Sequence, residues 1–180
     1  KWNKLYKYPK SKRELLKGDR HYDVNDEKLP SVTTILQATQ DAEKAESLKR
    51  WTQKVGEIEA ERVKNQAAKR GTAMHSYLET YLQGGKVLDL RDVGREASGM
   101  AETIIAKGFN DLEEIWGSEV TLFYNCVYGT DIDQGVILMC TPDNFFQKFT
   151  INGREFRELK WEWLKRIDNY YETNMSQSVA

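Results

Sequence analysis

The stretch EIEAERVKNQAAKRGTAMHSYLETYLQGG, residues 57–85, decides the fold. Its apolar residues recur at helical spacing through Val63, Ala67 and Met74 to Leu82, and the pair Gly84 and Gly85 supplies a stop. The spacing predicts a helix from Glu57 to Leu82 that crosses Gly71. An interior glycine costs a helix up to about 1 kcal/mol against alanine, so Gly71 predicts either a helix break or close backbone approach. Within this stretch His75 and Glu79 stand four apart and share one face, with Arg70 about a turn upstream. A histidine and a carboxylate so placed suit metal binding or the orientation of a phosphate; the same spacing also fits an ordinary solvated or salt-bridged pair.

Working outward, Leu48, Trp51 and Val55 fall at helical spacing from Asp41 onward, and Gly56 stands where that helix would end. Further upstream, Tyr22 to Val24, the turn residues Asn25 and Asp26, and Leu29 read as a short hairpin. Pro30 and Ser31 read as the cap of a short helix through Leu36. Residues 1–20 are strongly basic and interleaved with Trp2, Tyr6 and Tyr8. That mixture suits a phosphate-touching arm with stacking side chains, or a basic tail packed loosely on the domain.

Downstream, Gly94 to Lys107 places Met100, Ile104 and Ile105 on one helix face, ended by Gly108. Then the period changes. Ile115 to Tyr124 is β-branched and aromatic, Gly135 to Cys140 is an apolar run typical of a buried strand, and Phe145 to Ile151 alternates as a strand does. Asn152 and Gly153 end that strand. Arg154 to Tyr171 returns to helical spacing through Phe156, Leu159, Trp163, Ile167 and Tyr170, an amphipathic C-terminal helix. Helices, then strands, then a helix predict an α+β fold, or α/β with a small sheet. The organisation read from this is a basic arm over 1–20, one domain over 21–172 and a polar tail over 173–180.

Composition sets the class. The chain has 180 residues, 39% hydrophobic and 31% charged, with 27 Lys and Arg against 28 Asp and Glu. That balance excludes disordered, collagen-like and coiled-coil chains. No apolar run approaches the roughly 20 residues of a membrane span, and the N-terminal stretch lacks the apolar core of a secretory signal, so the expectation is a protein that stays in the cell that makes it, with no membrane partner. Cys126 and Cys140 cannot supply a disulfide framework and read as small buried side chains in a reducing compartment. A net charge of −1 means that any DNA contact must come from a local patch.

Glu119, in Gly117-Ser118-Glu119-Val120-Thr121-Leu122, reads as a carboxylate entering an apolar strand. There it is either paired or metal-bound, or it faces water at a strand edge.

Four segments belong together: Leu29-Pro30-Ser31-Val32-Thr33-Thr34-Ile35-Leu36, Arg70-Gly71-Thr72 with His75 and Glu79, Gly117-Ser118-Glu119, and Val127-Tyr128-Gly129-Thr130 running into Gly135-Val136-Ile137-Leu138. With these the chain resembles the phage exonucleases of the PD-(D/E)xK superfamily, RecB-type nucleases related to the mitochondrial genome maintenance exonuclease. The resemblance covers about Tyr8 to Tyr171. It implies a nuclease core with helices packed on a small, reduced mixed sheet, and metal-dependent hydrolysis of DNA from its ends with Mg or Mn. The residues it implies are His75, Glu79 and Glu119 as catalytic, Glu119 and His75 as metal ligands, and Lys69, Arg70, Gly71 and Thr72 on the DNA backbone. The location it implies is the cytoplasm of an infected bacterial cell.

The departure from that family is specific. There, the strand bearing the equivalent of Glu119 is followed by a Gly-x-x-Asp turn, a strand ending in Asp-x-Lys and a helix carrying Gln-x-x-x-Tyr. Here Phe123-Tyr124 runs almost directly into Asn125-Cys126-Val127-Tyr128-Gly129, so an internal deletion near 124–125 is expected. Pro142-Asp143 with Glu158-Leu159-Lys160, and Gly129-Thr130-Asp131-Ile132-Asp133, imitate the lost motifs. Glu158 and Lys160 fall within a helical period, whereas a catalytic ExK needs a strand to put both side chains on one face. Three readings follow: an exonuclease with a further stretch between Tyr124 and Asn125, an inactive scaffold that binds DNA ends or single strands, or a nuclease remnant that recruits a host protein or a second copy through exposed sheet edges.

Overall fold

The computed structural model describes residues 1–5, 7–86, 91–122 and 134–177. The fold is α+β, with five helices and sheets of three and two strands among the described residues. The elements are β1 (Ser11–Leu16), β2 (Asp19–Val24), β3 (Glu27–Pro30), α1 (Val32–Ala38), α2 (Ala42–Val55), α3 (Glu57–Leu82), α4 (Asp92–Gly108), β4 (Gln134–Cys140), β5 (Phe146–Asn152) and α5 (Gly153–Gln177). Cys126, the segment 129–133 and the junction at 124–125 lie outside the described residues, as does the end of the tail. Among the described residues no helix is long and apolar enough to cross a membrane.

The chain forms two compact units. One gathers 1–5, 49–86, 91–120 and 136–150; the other gathers 7–48, 121–122, 134–135 and 151–177.

In the second unit β1, β2 and β3 form an antiparallel meander, with Ser11 opposite Val24 and His21 opposite Pro30. Its turns are two residues each, Lys17-Gly18 and Asn25-Asp26, and all four residues have positive φ. That is the backbone twist that matches two antiparallel strands, and Gly, Asn and Asp adopt it at least cost. The basic stretch therefore contributes a strand from Ser11 to Leu16. Sequence reasoning missed β1 because its alternation is broken by adjacent Lys12 and Arg13. Ser31, with extended backbone, caps α1 by accepting from the Thr34 N–H at 3.1 Å, and the core here is Val24, Ile35 and Tyr170.

Glu14 on β1 lies between Lys28 at 2.9 Å and Lys12 at 3.4 Å. Lys28, through its hydrogen bond first and its charge second, holds this carboxyl below its usual value. A carboxyl depressed in the folded state adds stability above its unfolded pKa and loses it as pH falls through the folded value. Stability is thus expected to drop on acidification below the ordinary carboxylate range, and Glu14→Gln to flatten that part of the profile by lowering the neutral plateau toward the acid value. Urea midpoints measured across the acid range for both proteins check this; parallel profiles would refute it.

In the first unit α4 packs on α3. Gly94, Ala97, Met100, Ala101 and Ile104 are its buried stripe, the three-and-four spacing of one helix face. Arg70 meets Glu96, Tyr77 meets Glu102 and Tyr81 stacks near Phe109, so the contacts ascend together and the two helices run in the same direction. At Gly108 a Cβ would stand 2.8 Å from Leu138, which lets the β4–β5 hairpin lie close against the end of α4. Trp2 pairs with Ile115 and donates its indole N–H to the Leu82 carbonyl at 2.7 Å, satisfying one of the free carbonyls at the end of α3. The indole expected to stack on a ligand is therefore used inside the protein.

Three expectations are corrected. The sheet is not one mixed sheet; the described strands form two separate small ones. Ile115 to Leu122 is not a strand: Ile115 makes an isolated bridge, and Glu119 turns the chain with a φ of 51° just after Gly117 and Ser118. The apolar run in β4 is not buried, since Val136, Ile137 and Met139 are about half exposed, at 46%, 50% and 47%. Leu138 of the hairpin lies against the end of α4 at Gly108, and a sheet of two strands hides only part of its apolar run.

Candidate functional site

Helix α3 is continuous through Gly71, and nothing lies within 4 Å of where a Cβ there would be. Neither the predicted break nor a close approach by another part of the described chain occurs. A helix of 26 residues absorbs one glycine because the cost, about 1 kcal/mol, is met by the many turns on either side. Gly71, Thr72, His75 and Glu79 fall within about 100° of arc on this helix, which makes a strip with an open backbone at Gly71.

Across from that strip, the bend at 117–119 brings Glu119 to His75. The left-handed backbone at Glu119 turns its carboxylate back toward α3, and Oε1 stands 3.3 Å from His75 Nδ1. Forty-four residues separate the two in sequence. Both are more than half exposed, at 62% and 57%, so the contact adds little to stability. Its chemical effect is orientation: when Nδ1–H donates to Glu119, the lone pair sits on Nε2, which is then an acceptor facing away from the carboxylate.

The remaining expected residues are distributed differently. Glu79 is half-buried and accepts from Gln83 Nε2 at 3.3 Å. Arg70 is turned toward α4, where its guanidinium donates to Glu96 at 3.1 Å and is only 20% exposed. Lys69 and Thr72 are exposed. Glu96 and Glu102, which hold Arg70 and Tyr77, were not found by sequence reasoning; they lie a helix away and carry no local signal. Burial, with the Glu102 charge second, pushes the Tyr77 hydroxyl above its usual pKa, so it stays a donor. Cys140 is half-buried rather than buried, and burial raises its thiol as well.

Mg and Mn take oxygen-rich sets of about six donors. His75 and Glu119 supply one nitrogen and one carboxylate, and among the described residues no three His, Cys, Asp or Glu side chains gather around one point. The donor set implied by the resemblance is therefore not met by these residues. Of the two imitation motifs, Glu158 and Lys160 lie on α5, and Glu158 accepts from Arg154 at 2.6 Å one turn away.

No family model, curated protein or solved structure matches this chain.

Proposed function

We propose that the chain is a DNA-binding scaffold of the PD-(D/E)xK phage exonuclease kind, which engages DNA ends or single strands at the α3 strip in the cytoplasm of an infected cell. The observation that supports this reading is the meeting of His75 and Glu119. Two positions that the family resemblance assigns to one active site, far apart in sequence, come together at 3.3 Å. Gly71 adds to it, since a half-buried helical glycine with open space above its Cβ position leaves room for a phosphate to reach the helix. Exposed Lys69 supplies charge, and Arg70 would reach a phosphate by leaving Glu96.

The carboxylates of Glu79 and Glu119 oppose phosphate binding unless a cation or a protonated His75 offsets them. Hydrolysis would need further carboxylates and a lysine beyond the pair described. A second reading draws on the exposed Val136, Ile137 and Met139 of β4, which offer an apolar strand to a protein partner or a second copy.

The test is incubation of the 180-residue protein with Mg or Mn and end-labelled single-stranded and duplex DNA, beside His75→Ala. Salt-dependent binding without digestion, in a sample whose intact mass is 20.9 kDa, is the expected result. Digestion that His75→Ala abolishes would replace the scaffold with an active exonuclease. Absence of DNA binding under every condition would reject both and leave the protein-recruiting reading.

A further inference from the structure

The three-stranded meander has two faces of opposite electrostatic character, and the register decides which residue belongs to which. Directly opposed residues in an antiparallel pair point to the same side of the sheet, and neighbours along a strand alternate. One face carries Lys12 opposite Asp23, which in turn stands opposite Lys28, then Glu14 opposite His21, then Asp19. Its cations are consumed locally: both lysines sit on Glu14.

The other face carries Ser11 opposite Val24, Arg13 opposite Tyr22, which Leu29 flanks on β3, and Leu15 opposite Arg20. Val24 is buried in the core and Tyr22 and Leu29 are half-buried, so the open part of this face is its hairpin end, with Arg13, Tyr22, Leu15 and Arg20. The four side chains form a checkerboard in which each guanidinium has an apolar or aromatic neighbour across the strand and another along it. Both arginines are exposed, and Leu15 is 66% exposed. Neither guanidinium has an ion-pair partner among the described residues. The acid of this face, Glu27, lies at the far end beside Val24, and the exposed Lys17 in the hairpin turn extends the positive end. The backbone is rigidly held beneath: the Arg20 carbonyl accepts from the Ser31 N–H at 2.9 Å and from the Thr34 hydroxyl at 3.0 Å.

We propose that the hairpin end of this face of β1 and β2 is a binding surface for single-stranded DNA, with Arg13 and Arg20 on successive phosphates and Leu15 and the exposed part of Tyr22 against the bases. Unpaired cations select a polyanion, and the apolar squares between them select a polyanion that exposes flat apolar surface. A duplex hides its bases and offers that checkerboard only phosphates. A lipid surface rewards a larger apolar area than one leucine and part of one tyrosine. The surface lies on a different unit from the His75 and Glu119 strip and does not depend on the function proposed for that strip.

Binding of a fluorescent oligothymidylate, followed by anisotropy over a range of salt, tests the assignment with the full chain. Arg13→Gln with Arg20→Gln is expected to weaken binding about tenfold at low salt and to reduce the slope of log K against log salt by about 1.4, two phosphates at about 0.7 each. Lys12→Gln, on the neutralised face, should change neither. Independently, oligothymidylate is expected to protect Arg13 and Arg20 of the unmodified protein from phenylglyoxal, so the result stands even where the double variant fails to fold. A folded double variant with unchanged affinity and slope would overturn the proposal, as would unprotected arginines in the complex. Binding of vesicles containing anionic lipid with none of the oligothymidylate would overturn it in favour of a membrane surface. Loss of binding in His75→Ala with the arginine variants unaffected would overturn it while leaving the α3 site intact.

Discussion

Ile104→Ala is expected to lower the unfolding free energy by about 2–5 kcal/mol, because it removes three carbons from a site that cannot collapse around the loss. Ile104 is 2% exposed and sits in the buried stripe of α4 with Met100 and Ala101, the latter fully buried. For a chain of this size each kcal/mol moves the melting temperature by roughly 2–4 °C, so a drop on the order of 10 °C is expected. Circular dichroism melts of the variant beside Ile58→Ala provide the comparison. Ile58 is 90% exposed, and its truncation should stay within about 0.5 kcal/mol of the parent. Equal shifts in the two variants would show that α4 does not carry the core assigned to it.

The second large effect is expected in the other unit. Arg166 on α5 donates to the Thr39 carbonyl at 2.9 Å and to its hydroxyl at 3.3 Å. Thr39 ends α1, and its own hydroxyl donates back to the Ile35 carbonyl at 2.7 Å. Arg166 therefore closes the C-terminal end of α1, where carbonyls lack partners and a cation also favours the helix dipole. Arg166→Ala removes a charge-assisted hydrogen bond in a half-buried place and is expected to cost about 1.5–3 kcal/mol. Arg166→Lys should recover part of that, since an ammonium keeps the charge but not the planar fork. Urea unfolding of the three proteins measures it, and an unchanged midpoint for Arg166→Ala would refute the capping role.

Much of the helical part of this fold was legible in the sequence. The boundaries of α2 and α3 follow from the apolar spacing and from Gly56, which takes a φ of 89° between them. Ser31 announced the start of α1, and Asn25-Asp26 announced a turn. These are local signals, each written within a few residues. The strands were harder. β1 hides behind adjacent charges that are matched across strands: Glu14 pairs with Lys28 of β3, and Lys12 stands opposite Asp23 of β2 in register. The Ile115 to Leu122 run has strand composition but no neighbouring strand to pair with among the described residues, and β composition without a partner does not make a strand. At the candidate site, the shared face of His75 and Glu79 was readable because helix period is local. The contact with Glu119 was not, because it depends on a left-handed turn at a residue that rarely adopts one. The commitment of Arg70 to Glu96 was equally invisible, since it requires knowing which way α4 runs.

The meander also has a consequence in time. Its two-residue turns join strands that are neighbours in sequence, so β1, β2 and β3 assemble through short loops, a process on the order of microseconds for each hairpin. The rest of that unit is closed by Arg166 and Thr39, which are 127 residues apart. Contacts that span so much chain form late, after the entropy of a long loop has been surrendered. The face bearing Arg13 and Arg20 is thus built from the quickest part of the molecule, and α5 docks onto α1, which packs on a sheet already in place. Destabilising α5 should accordingly hasten unfolding far more than it slows folding, leaving the hairpin as the last structure to be lost.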